Sequence, residues 1–286
     1  MVAATLYNLA ELYRARGGYG ESEIFYQRAL AIIKKTLGGE HPQVATGLYD
    51  LAELYNMQDR HGEARLLLER SLAIVEKAFG PAHPEVAAGL TSLAKLHLGQ
   101  ERYSEAEPLY QRALAIVEKA LGPEHPRLAT GLTNLADLFS AQDRFDDAEP
   151  LYQRALAVVE NAYGPQHPGV VASLNNLADF YNAIDRRDEA GQMLIRALTI
   201  RENALGPEHP GVAVSLNKLG EFYYALARFA EAEPLFLRAL AINETVLTPE
   251  HSRVAISLEN YAALLRQIGR DAEAAKLETR AGTIRS

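Results

Sequence analysis

The sequence predicts an all-α fold, an α-α superhelix (solenoid) of seven helix-turn-helix repeats, and three observations carry that expectation. The chain repeats itself every 42 residues: His41-Pro42, His83-Pro84, His125-Pro126, His167-Pro168 and His209-Pro210 fall at that interval, and His251-Ser252 closes the series. Self-similarity at a fixed period of this length belongs to arrays whose units pack on their neighbours. Within a unit the apolar residues follow the helical period. Leu128, Leu132, Leu135, Ala136 and Phe139 mark one helix face, and Ala148, Leu151, Tyr152, Ala155, Leu156 and Val159 mark another. Nowhere does β-branched alternation bounded by turns occur, so no strand is expected.

The period divides the chain, as one array, into a partial first repeat (1–40), five full repeats (41–82, 83–124, 125–166, 167–208 and 209–250) and a last one (251–286). Val2-Ala3-Ala4 aligns on Val44-Ala45-Thr46, so the chain opens at the start of a first helix with Leu6, Leu9 and Tyr13 on its core face. No polar substitution caps that end. The expectation is a further segment or domain before residue 1, or an end covered by self-association. In the middle repeats, the polar link Gln142-Asp143-Arg144-Phe145 suits a turn between antiparallel helices. Ser104, Asp146 and Asp188 are placed to cap second helices, with Pro108, Pro150 and Pro234 in the first turn. Gly80, Gly122, Gly164 and Gly206 sit where a left-handed C-cap is wanted, and the proline after each blocks extension. In the two most divergent second helices, Leu68 and Met193 keep the packing bulk. The last second helix puts Glu278 where others have Tyr110, Tyr152 or Phe236, and Gly282 where others have Leu156, Leu198 or Leu240. That predicts a solvent-facing terminal helix and a true C-terminal end.

Composition removes several function classes. Net charge is −8, from 29 Lys+Arg against 37 Asp+Glu, which argues against a nucleic-acid partner. Without cysteine there is neither a disulfide framework nor a thiolate metal site. The first residues meet Glu11 early and lack a basic start, so they do not read as a signal peptide. No apolar run reaches the ~18 residues of a membrane span, so no membrane partner and a cytoplasmic location are expected. Asn243-Glu244-Thr245 matches a glycosylation sequon but lies within a helical pattern and reads as chance. The connector histidines occur once per repeat, and stacked helices stand about 8–10 Å apart, too far to share a metal. They read as turn residues. His61 and His97 stand alone. With no HExxH, GxSxG or Gly-rich phosphate loop, neither catalysis nor a cofactor is expected.

Leu177-Ala178 with Tyr181, Ala190 and Ala197 resembles the tetratricopeptide pattern of small and large packing residues. The connector Leu121 to Pro126 (LGPEHP) and the segment Leu174 to Ala178 (LNNLA) are similar to the kinesin-light-chain type of that repeat, over essentially the whole chain. The resemblance implies that first helices line a concave groove and that the groove receives a protein or an extended peptide.

Columns taken across the repeats separate fold from ligand. Arg28, Arg70, Arg112, Arg154, Arg196, Arg238 and Arg280 form a column without exception. A guanidinium ladder for an anionic polymer and an inter-repeat ion pair both fit, and strict recurrence favours the ion pair. Groove columns vary instead. One runs Glu11, Glu53, Lys95, Asp137, Asp179, Glu221, Ala263; a second holds Tyr7, Tyr49, Asn175, Asn217 and Glu259; a third holds Arg14, Asn56, Asn182, Tyr224 and Arg266; a fourth holds Asp50, Asn134, Asn176, Lys218 and Asn260. Asparagine amides suit an extended backbone, since each offers donor and acceptor. Candidate peptide-binding residues are therefore Tyr49, Glu53, Asn56, Lys95, Asn134, Asp137, Asn175, Asn176, Asp179, Asn182, Asn217, Glu221 and Tyr224. Kinesin-light-chain grooves are basic and take acidic peptides; this column is mainly acidic, which favours a basic or neutral peptide. A merely solvated face remains the bland alternative. The expected function is a non-catalytic peptide-binding scaffold, with an assembly module that self-associates through its N-terminal end as the alternative.

Overall fold

The period seen in the sequence becomes a series of helix pairs in the computed structural model, which describes residues 2–285. Among these residues there are fourteen α-helices and no strand. They fall into two compact units, one ending at Leu151 and the other beginning at Tyr152. The first contains α1 (Val2–Ala15), α2 (Tyr19–Leu37), α3 (Pro42–Met57), α4 (His61–Phe79), α5 (Pro84–Gly99), α6 (Tyr103–Leu121), α7 (Leu128–Ser140) and the start of α8 (Phe145–Tyr163). The second holds the rest of α8, then α9 (Val171–Ala183) after a 3-10 turn, α10 (Arg187–Leu205), α11 (Pro210–Ala225), α12 (Phe229–Val246), α13 (Ser252–Gln267) and α14 (Asp271–Arg285). In each unit a first helix packs on its own second helix, and that helix packs on the next first helix. The cores are built accordingly: Leu30, Val44, Leu48 and Ile74 cluster in the first unit, and Phe236, Val254, Leu258 and Leu265 in the second.

Among the connector histidines, His41, His83, His209 and His251 are α-helix N-caps, His167 caps the 3-10 turn before α9, and His125 makes the same bond ahead of α7, whose N-cap is Arg127. His41, His83, His125, His167, His209 and His251 each accept a backbone N–H through Nδ1 from the residue two further on, at 3.0–3.2 Å. Pro42, Pro84 and Pro210 take the first helical position, where no N–H is needed, and Pro168 opens the 3-10 turn.

The turn within a pair differs from expectation. The second helices α6, α8 and α10 start at Tyr103, Phe145 and Arg187, so Ser104, Asp146 and Asp188 are inside the first turn rather than capping it. The N-cap of α6 is Arg102, without a side-chain cap bond. The reason lies one residue earlier. Glu101 adopts φ 57°, and Asp59, Asp143, Asp185 and Ala227 do likewise at φ 55–62°. Arg102 N–H donates to His97 O and Glu101 N–H to Leu98 O, the paired bonds of a Schellman motif. One residue thus ends the first helix and starts the second. Pro108 consequently lies in the second turn of α6, at the sixth helical position rather than in the first turn.

The glycines that close the second helices also differ. Gly38, Gly80, Gly122 and Gly206 have φ 86–90° but ψ 152–160°, a region reached essentially by glycine alone and not the left-handed helical well. Gly122→Ala is expected to destabilise by about 1–3 kcal/mol, read as a lower urea midpoint; an unchanged midpoint would show that the strain is absent.

The arginine column is an inter-repeat tie. Arg112 Nη2 reaches Glu76 at 2.6 Å and Pro81 O at 3.2 Å; Arg238 bonds Glu202 and Pro207 O, while Arg70 pairs with Glu40 and Arg280 with Glu244. Each runs from a second helix to the second helix or connector of the repeat before it. These pairs are partly exposed, worth about 0–1 kcal/mol apiece.

Candidate functional site

Away from the core, each first helix leaves one stripe open. On α3 it comprises Thr46, Tyr49, Asp50, Glu53 and Asn56, spaced so that they share a face. The core residues Val44, Leu48, Leu51 and Tyr55 occupy the other side.

In the first unit this stripe borders three cavities. One of about 660 Å³ lies among α3, α4 and α5, with Tyr49, Leu72, Val75, Phe79 and Gly89 on its walls. A second, of about 380 Å³, lies one repeat on, with Thr91, Leu114, Val117, Gly131 and Asn134. A third, of about 110 Å³, contains Glu53, Asn56 and Lys95. Ser92 borders all three, which makes them contiguous. The glycines are what the walls require, since a Cβ at Gly89 or Gly131 would stand 3.2 or 3.1 Å from Leu72 Cδ1 or Leu114 Cδ1.

The candidate residues of this unit are thereby brought together. Tyr49 walls both large cavities, and Lys95 the second and third. Asn134 walls the second. Asn56 is exposed, with Oδ1 3.0 Å from His61 Nδ1. Asp137 is exposed, and its charge, after burial, helps push the Tyr110 hydroxyl upward. Glu53 is half-buried with neither a hydrogen bond nor an ion pair. Asp50, one turn earlier, is likewise half-buried and unbonded; burial, and then the charge of Glu53, push its carboxyl up to about 6.

The second unit treats the same positions differently. Asp179 is paired with Lys218 Nζ at 2.7 Å, and Glu221 accepts from Asn260 Nδ2 at 2.7 Å. Asn175 and Asn176 are half-buried, and Asn182 is exposed. The Tyr224 ring leans on Phe229 at 5.8 Å. Asn217 departs from the expected groove position: it is 9% exposed, and its amide donates to Ser257 Oγ at 3.1 Å. It sits between α11 and α13, held there by a buried serine.

A model of the tetratricopeptide repeat matches residues 1–77, 67–119, 85–161, 129–190, 169–245 and 212–285. The chain belongs to the tetratricopeptide repeat family. Its likeness to a protein assigned as a kinesin light chain with nearly identical TPR-like repeats, from Podosopora anserina, is 29% identity with a TM-score of 0.61, covering 71% of this chain and 96% of that one. BtubC (BKLC) from P. vanneervenii is 24% identical with a TM-score of 0.62, over 76% and 91% of the two chains. A signal-transduction ATPase with a tetratricopeptide repeat sensor, from Pyrococcus horikoshii, is 17% identical with a TM-score of 0.65, over 98% of this chain and 42% of that one. The last two likenesses speak to fold alone. Among curated proteins none matches. The repeats are of the kinesin-light-chain type, and tetratricopeptide repeats commonly mediate protein–protein interaction. Among the described residues, no helix of this tetratricopeptide array is long and apolar enough to cross a membrane, and no three His, Asp or Glu side chains are grouped to hold a metal.

A second arginine ladder of the array escaped the sequence reading. Arg60 Nε donates to Glu63 at 2.7 Å in its own helix, Nη1 reaches Glu23 at 2.7 Å in the preceding second helix, and the guanidinium stacks 3.7 Å above Tyr55. Tyr55 OH donates to the same Glu23 at 2.8 Å. Arg144 and Arg270 make the corresponding ion pairs with Glu107 and Glu233. The signal was available, because Arg60, Arg102, Arg144, Arg186, Arg228 and Arg270 recur at the period. Their role is structural: they lock the turn and set the register of the groove stripe.

Proposed function

We propose that this tetratricopeptide array is a non-catalytic scaffold whose first unit holds an extended peptide bearing lysine or arginine against Asp50 and Glu53. The observation that carries this reading is the contrast between equivalent positions. In the second unit Lys218 bonds Asp179 across neighbouring first helices. Three periods before Lys218 and Asp179 the pair is Ser92 and Glu53, and four periods before it is Asp50 and Glu11. Glu53 makes no ion pair equivalent to Lys218–Asp179, although Lys95 borders the same cavity and the Arg14 charge acts on it, and a ligand ammonium would relieve the repulsion between Asp50 and Glu53. The half-buried Tyr49 supplies an apolar flank and Asn134 an amide for the peptide backbone. In the second unit, Asn175, Asn176, Asp179, Asn182, Glu221 and Tyr224 offer a more neutral continuation. The cytoplasm is the proposed setting.

Binding of basic and acidic fluorescent peptides, at low and raised salt, tests the proposal. Basic peptides should bind and weaken with salt. Glu53→Lys should lose affinity by about tenfold or more, the equivalent of 1.4 kcal/mol. Equal affinity of parent and variant, or a preference for acidic peptides, would overturn it. A loss of self-association in the variant, seen by light scattering, would support the assembly alternative instead.

A further inference from the structure

One arginine of the second unit carries a half-buried charge that no acid of the chain matches. The column Ile33, Val75, Val117, Val159 continues with Arg201 on α10, then Asn243 and Arg285. Arg201 donates through Nη1 to Gly211 O at 3.1 Å and to Ser215 Oγ at 3.0 Å, both neutral groups of α11. Arg285 shows what an arginine of this column does with an acid in reach: its guanidinium forks onto Glu259, 26 residues earlier, at 2.5–2.6 Å. The residue standing in that relation to Arg201 is Asn175. Charges withdrawn from water are ordinarily paired, and this one is not. Burial, and then the charge of a second arginine, Arg253, hold the Arg201 guanidinium below its ordinary value, and no carboxylate opposes them.

Arg253 is exposed, and among the described residues its guanidinium makes neither a hydrogen bond nor an ion pair. It is the second residue of α13, as Gly211 is of α11. These two helices touch, and Asn217 Nδ2 of one donates to Ser257 Oγ of the other at 3.1 Å. Both guanidinia are thus held at the first turns of neighbouring helices, whose positive dipole ends add to them. Asp179, an acid of the adjoining α9, is already taken by Lys218 at 2.7 Å.

Beside this pair the open stripe turns apolar. The column Ala4, Thr46, Ala88, Thr130, Ala172 passes to Val214 on α11 and Ile256 on α13, and both are exposed. Each directly precedes the serine that fixes the column above, Ser215 for Arg201 and Ser257 for Asn243.

Charge then selects the ligand. Two guanidinia without an opposing acid offer two positive charges. A carboxylate brings one negative charge and two oxygens. A phosphomonoester brings about 1.5–2 negative charges at neutral pH and three acceptor oxygens, enough for both arginines.

We infer that the second unit binds a phosphorylated serine or threonine of a partner protein, with the phosphoryl oxygens on Arg201 and Arg253 and a neighbouring apolar side chain against Val214 and Ile256. This goes beyond the basic-peptide reading: it concerns the other unit and the opposite charge, and it does not depend on Asp50 or Glu53.

The test uses short, otherwise neutral, fluorescein-labelled peptides with leucines beside a central position that holds phosphoserine, serine or glutamate. Fluorescence polarisation should show the phosphoserine form binding about tenfold or more tightly than the serine form, with glutamate between them. Arg201→Val recreates the pairing of Val159 with Ser173 one period earlier, and Arg253→Gln copies Gln43, so both bring in residues that the repeat already carries. With circular dichroism unchanged, each should remove most of the gain from phosphate and leave the serine form as it was. Glu53→Lys should not alter that gain, so this inference and the basic-peptide reading fail separately. Equal affinity of the phosphoserine and serine forms, or a gain that survives both arginine substitutions, would overturn the inference. If glutamate binds as tightly as phosphoserine, the site reads acidity alone and the phosphate assignment falls. If inorganic phosphate raises the urea midpoint while the phosphopeptide gains nothing, the site takes the free ion and the partner falls. Arg201-dependent binding of a single-stranded RNA oligonucleotide, with no gain from the phosphopeptide, would overturn it in favour of a nucleic-acid backbone.

Discussion

Gly220→Ala is expected to lower the urea midpoint by an amount equivalent to about 1–3 kcal/mol, as overpacking of a filled core does. A Cβ at this position would stand 2.7 Å from Cε1 and 2.9 Å from Cδ1 of Phe236. That ring is 1% exposed and walled in by Val254, Leu258 and Leu265, so it has no direction in which to yield. Phe236→Ala alone should cost about 3–5 kcal/mol, through lost burial and the cavity left behind. Adding Gly220→Ala to it should cost almost nothing more, because the atoms in the way are gone. Strict additivity in this double-mutant cycle would refute steric conflict as the cause.

Asp50→Asn is expected to stabilise the protein above pH 6 and to leave it unchanged near pH 4. The sign follows from linkage. In the unfolded chain the carboxyl titrates near its ordinary value of 3.8, and in the folded chain at about 6. The folded state therefore holds this proton more tightly, and its stability falls as pH rises from one value to the other. The span corresponds to about 3 kcal/mol at 1.36 kcal/mol per unit, reduced by partial exposure to about 1–2 kcal/mol. Asparagine removes the penalty without removing the shape. Urea midpoints of parent and variant, measured from about pH 4 to about pH 8, should diverge across that window; a difference independent of pH would show that charge is not the reason. The same carboxyl links pH to binding. A ligand ammonium at Asp50 favours the ionised form, so basic peptides should bind more tightly above pH 6 than below it.

The architecture was legible because it recurs. The His-Pro register, the two apolar faces and the column from Arg70 to Arg280 each state one structural requirement in every repeat, and the ties to Glu40, Glu76, Glu202 and Glu244 meet it. The turn was less legible. The left-handed position is signalled at the ends of its column by Gly17 and Gly269 and by the tolerance of Asp59, Asp143 and Asp185 for positive φ, but Glu101 and Ala227 in the same column hide it. The Arg60 column recurs in every repeat but the first, where Gly18 stands, and its meaning depends on Glu63, Glu23 and Tyr55 from three helices, which no single column joins. Asn217 reads as a surface residue by type and is buried only because Ser257 faces it. The cavities were the least legible feature. They depend on what Gly89 and Gly131 omit, together with Leu72, Val75, Leu114 and Val117, residues that a helical period assigns to the core.

The arginine ties reach back one repeat and no further, and this makes repeat number an adjustable quantity in such a chain. Within the second unit, excising 42 residues would give each surviving arginine a glutamate of the column Glu160, Glu202, Glu244 as its new acceptor, whereas excising 41 would turn every downstream side chain by about 100° around its helix. Recombination between neighbouring copies, which naturally exchanges whole repeats, could therefore lengthen or shorten the ligand-reading stripe by single cavities while the framework that supports it stays intact.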